Sequence, residues 1–164
     1  GSNIHLIQQN FKNIKKFLLI DIFPTIYVAT KYLQEIYGDA VITYDKLSNK
    51  NEIRFSDNDK LEIICLPNWE IEKFKSKIEH FHNGDSFSHL PMSEIKKYLS
   101  FLHNSSIKSF SINDLDSHKY KKTSPHKYIR LFNKKIKPKY NDYIISGLRD
   151  NKNLYYIGKL YEKK

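Results

Sequence analysis

Two histidines, His118 and His126, stand among Lys119, Lys121, Lys122 and Lys127 in a polar stretch of a 164-residue chain. Metal-independent cleavage of an RNA backbone needs a base for the 2′-hydroxyl, an acid for the leaving oxygen and a cation for the phosphate. Imidazole titrates near neutrality, so two histidines in different protonation states, with Lys122 or Lys127, supply all three. A basic loop also gathers histidines with no chemistry attached, which makes a ribonuclease, toxin-like in style, the second expectation. The stronger signal surrounds it. Residues 119–164 carry fourteen Lys and Arg against three Asp and Glu, a net +11, while residues 1–118 stand at −1. The same segment holds eight aromatics: Tyr120, Tyr128, Phe132, Tyr140, Tyr143, Tyr155, Tyr156 and Tyr161. Cations neutralise phosphates and release counterions, and aromatic faces stack on unpaired bases.

The first expectation is therefore a nucleic-acid-binding domain, with RNA or single strands preferred. Its contact residues are Lys119, Lys121, Lys122, Lys127, Arg130, Lys134, Lys135, Lys137, Lys139, Tyr155, Lys159 and Tyr161. Lysine outnumbers arginine there, which suits point contacts to phosphate better than forked readout of bases, so sequence specificity should be low. A third class is an interaction module whose basic face docks an acidic protein or an anionic membrane surface.

Other constellations carry less. His80-Phe81-His82 resembles the His-hydrophobe-His motif of rolling-circle replication and relaxase nucleases. That resemblance implies a divalent metal on the pair and a tyrosine nucleophile, for which Tyr98 is the match. The surrounding periodicity, however, reads as helix, and a helix points residues two apart about 200° from each other, too far to share an ion. Asp45, Glu52, Asp57, Asp59 and Glu62 fall on one expected hairpin, but mostly in turns, where Asp belongs for backbone reasons. Cys65 sits in an apolar strand and reads as a small core side chain with a raised pKa, and Trp69 reads as packing. No glycine loop for phosphates is present. No metal and no cofactor are expected.

The totals set the frame. One cysteine excludes an intramolecular disulfide framework, and no run approaches a membrane span, so an intracellular setting is expected. Gly1-Ser2 reads as a tag remnant, and the chain as one domain, 1–164, excised from a longer protein whose other domains are partners. Residues 113–126 are expected to be a mobile loop or a subdomain boundary.

The elements that must position these residues follow from periodicity. Ile4, Ile7, Phe11, Ile14 and Leu18 predict a first helix. Ile26, Ala29, Leu33 and Ile36 predict a second, opened near Pro24 and stopped by Gly38. Ala40–Tyr44 reads as a strand, and 52–55 with 60–66 as a hairpin around Ser56-Asp57-Asn58-Asp59. Ile71, Phe74, Ile78 and Phe81 predict a third helix, and Ile95, Leu99 and Leu102 a fourth over Met92–His103. A short strand at 107–112 and a closing hairpin, 143–148 with 154–161, complete the reading. The fold class is α+β, about four helices on a small, mostly antiparallel sheet with a C-terminal β-hairpin.

Overall fold

The computed structural model describes residues 1–84, 86–105, 107–115, 143–150 and 153–160. They fall into two compact units, Gly1–Ser76 and Lys77–Lys164. The fold is α+β, as its composition and patterning imply.

In the first unit, α1 (Ser2–Asn10) is followed by β1 (Lys16–Asp21), α2 (Thr25–Tyr37), β2 (Val41–Ile42) and β3 (Glu62–Pro67). The helix α2 buries Ile26, Ala29, Thr30 and Leu33 along one stripe. It stops where Gly38 takes φ +53°, a conformation that L side chains resist. The sheet order is β1-β3-β2, and both pairings are parallel, with Lys16 opposite Glu62 and Val41 opposite Ile63. All six residues of β3 are buried. A strand covered on both faces reads as a continuous apolar run, which is what Ile63-Ile64-Cys65-Leu66 is. Ile4, Phe17, Ile26, Leu33, Val41, Ile63 and Cys65 form the core around it.

The second unit contains β4 (His80–Gly84), α3 (Met92–Ser105), β5 (Ser109–Leu115), β6 (Tyr143–Asp150) and β7 (Asn153–Leu160). Its sheet order is β4-β5-β7-β6. β4 and β5 run parallel, joined through α3, while β5–β7 and β6–β7 are antiparallel. One side of β4 turns Phe81 to the interior, where its ring stacks on Phe87 at 5.9 Å, and Phe87 meets Tyr98 of α3 at 5.9 Å. Ile95, Tyr98, Leu99, Leu102, Ile107 and Phe110 are buried in this unit.

The structure corrects several expectations. The sheet is not mostly antiparallel: the first is wholly parallel, and antiparallel pairing is confined to β5, β6 and β7. The helix expected over 4–18 ends at Asn10: Phe11 and Ile14 are exposed between α1 and β1, and Leu18 enters β1 against β3. No hairpin joins 52–55 to 60–66. Ile53 instead bridges Phe74 in parallel, and β3 lies between β1 and β2. The third helix is a 3-10 segment, Asn68–Lys73, and Phe81, its expected last stripe residue, falls in β4. Three α-helices, not four, are found among the described residues. Ile36 and Trp69, read as packed, are exposed. The second and fourth expected helices correspond to α2 and α3, and the closing hairpin to β6 and β7.

Candidate functional site

Side chains alternate along a strand, so β4 sends Phe81 and Asn83 inward and His80 and His82 to the opposite side. β5 pairs in register, Ser109 opposite His80 and Ser111 opposite His82. The four polar groups form one chain of contacts. His80 Nδ1 lies 2.8 Å from Ser109 Oγ, His80 Nε2 lies 3.0 Å from Ser111 Oγ, and His82 Nδ1 lies 2.8 Å from the same Ser111 Oγ. Ser111 has one hydroxyl proton and meets two ring nitrogens. It donates to one and accepts from the other, so the tautomers of the two histidines are linked through it. Either direction satisfies every group with both rings neutral, and a single added proton is accommodated on either ring.

Both histidines keep exposed surface. The ring sides turned toward the sheet are nonetheless stripped of water, and this desolvation holds the pKa of each below the ordinary histidine value. For His80 the neighbouring His82 adds to the effect. Two largely neutral imidazoles and two hydroxyls offer donors and acceptors to a phosphate, a base edge or a metal ion.

β7 continues the same rows. Lys159 is opposite Ser109, Ile157 opposite Ser111, and Tyr155 opposite Asn113. Of the contact residues expected from sequence, Lys159 is thus in register with His80 and Ser109, and Tyr155 with Gly84 and Asn113. His118, His126, Lys119, Lys121, Lys122, Lys127, Arg130, Lys134, Lys135, Lys137, Lys139 and Tyr161 lie outside the described residues. Of the expected loop at 113–126, Asn113–Leu115 complete β5 and the rest lie outside as well.

The helical objection to His80 and His82 falls away, since both belong to a strand and face the same way. The tyrosine half of that motif does not follow. Tyr98 is buried against Phe87, which stacks on Phe81, on the side of β4 away from the histidines. The acidic set is dispersed. Glu62 is buried and accepts hydrogen bonds from Lys16 Nζ at 2.9 Å, Ser56 N at 2.9 Å and Ser56 Oγ, while Glu52 pairs with Arg54 at 3.0 Å. Cys65 is buried, and desolvation pushes its thiol pKa up, as its strand position implied. Ser109 and Ser111 were missed from sequence. Their signal is the period-two match of Ser109-Phe110-Ser111 to His80-Phe81-His82, polar on one side and phenylalanine on the other.

No family model matches this chain, and no curated protein does. Among solved structures, it is similar to "a putative type 11 methyltransferase from Sulfolobus solfataricus", at 10% identity and a TM-score of 0.44, over 99% of this chain and 94% of that one. So slight a likeness carries neither the fold nor an activity across.

Proposed function

We propose that this chain is a nucleic-acid-binding module, with RNA or single-stranded nucleic acid as its preferred partner. The observation that supports this most is the register of the second sheet. It aligns exposed His80 and His82 with Ser109 and Ser111, and sets Lys159 of β7 opposite Ser109, with Tyr155 opposite Asn113, two residues past Ser111. Exposed imidazoles beside serine hydroxyls, with a lysine and a tyrosine at register positions on β7, suit phosphate contact and base stacking together. β7 belongs to the segment with its net +11, a charge that supplies long-range attraction. Lysine-rich contact gives affinity without much sequence readout.

The test compares variants on labelled single-stranded RNA. Replacing Lys134, Lys135, Lys137 and Lys139 by Gln weakens binding and lowers the salt slope by about one for each lysine that contacts phosphate. Tyr155→Ala weakens binding at unchanged slope, by about 1–3 kcal/mol if a base stacks there. Unchanged affinity in both variants sinks the proposal. If the lysines are instead required for an acidic protein or for anionic vesicles, the interaction-module class takes its place.

A further inference from the structure

We infer that His80 and His82 form a binding site for a divalent transition-metal ion of the class that favours imidazole, with Zn2+ the leading case. Three features of the described residues carry this. The two histidines are two apart on one strand and point to the same side of it. His80 Nε2 and His82 Nδ1 converge on one point, the Ser111 hydroxyl, at 3.0 Å and 2.8 Å. Both residues have exposed surface, so an ion has a path to them.

An ion bound by two imidazoles sits about 2 Å from each nitrogen, closer than the hydroxyl that now joins them. The two nitrogens already lie within 3.0 Å of a common point, and an ion there has Ser111 Oγ as a neighbour or a weak third donor. His80 Nδ1 then keeps its contact with Ser109, the kind of outer partner that fixes a ligand ring in its tautomer and orientation. Among the described residues no third His, Cys, Asp or Glu completes the set. Two imidazoles by themselves leave coordination positions for water or an incoming oxygen ligand. Imidazole nitrogens select zinc, copper or nickel over magnesium and calcium, which prefer all-oxygen sets. The inference stands apart from the nucleic-acid proposal, since it needs only β4 and β5.

Calorimetric titration of the full chain with Zn2+, in a buffer that does not chelate, tests it. The expected result is one site that is lost in His80→Gln and in His82→Gln at Zn2+ concentrations that saturate the parent. Mg2+ should give no comparable site. Because the chain has seven histidines, a second measurement needs no variant. Substoichiometric Cu2+ should broaden the imidazole proton and carbon resonances of His80 and His82 before those of the other histidines. A zinc site of equal affinity in the double variant His80→Gln/His82→Gln overturns the inference. So does broadening that begins at other histidines, or the absence of any saturable zinc binding.

Discussion

Glu62 shows how one side chain ties sequence to stability. Burial pushes its pKa up, but hydrogen bonds from Ser56 and Lys16 more than offset this and hold the carboxyl below the ordinary glutamate value. A carboxyl with a folded pKa below its unfolded one, about 4.3 for glutamate, adds stability that is complete above the unfolded value. That contribution is lost as pH falls through the folded value. Glu62→Gln should therefore cost about 1–3 kcal/mol at neutral pH and flatten the acid side of the stability profile. Urea unfolding followed from neutral to acid pH measures both, and a variant as acid-sensitive as the parent contradicts the assignment. The same residue was read from sequence as part of an acidic cluster, because turn composition around 56–59 looks alike whether it closes a hairpin or is gripped by a buried carboxylate. His80 and His82 were legible as a motif. Their common orientation was not, since it depends on pairing with β5, a partner that follows the whole of α3 in the chain.

At the scale of elements, periodic helices were readable and parallel strands were not. α2 and α3 declare themselves because one stripe of each is apolar and the rest is polar. β3 is buried on both faces and shows no alternation, so nothing local says what it pairs with. Ile71, Phe74, Ile78 and Phe81 have helical spacing, yet Ile71 and Phe74 are buried from a 3-10 segment and a bridge to Ile53, and Phe81 is half-buried on a strand. Long-range pairing overrode the local pattern there. Within α2 the two sides separate cleanly. Leu33 is fully buried and Val28 is 64% exposed. Leu33→Ala should cost about 2–5 kcal/mol, while Val28→Lys should stay within about 0.5 kcal/mol. Equal effects in thermal unfolding would mean that α2 packs by another face. Gly38→Ala should cost about 1–3 kcal/mol, because φ +53° is held by the exit from the helix and not by a contact.

For the molecule as a whole, charge was the most legible property and its geometry the least. Counting residues places the net +11 in 119–164. No count could reveal that β7 from that segment threads between β5 and β6, or that Lys159 falls opposite Ser109. Register sets β7, a part of that stretch, directly beside β5, the strand that carries Ser109 and Ser111. Among the described residues no helix is long and apolar enough to cross a membrane. With the division into units at Ser76 and Lys77, His80, His82, Ser109 and Ser111 all belong to the second unit. Nucleic-acid binding is the property to measure first. Binding should be measured over a range of salt with labelled single-stranded RNA, double-stranded RNA and duplex DNA, and each probe then run on a denaturing gel. The account predicts tightest binding to the single strand, a steep fall with salt and intact probes. Shortened RNA would move the reading to a ribonuclease, and no binding to any probe at low salt would contradict it outright.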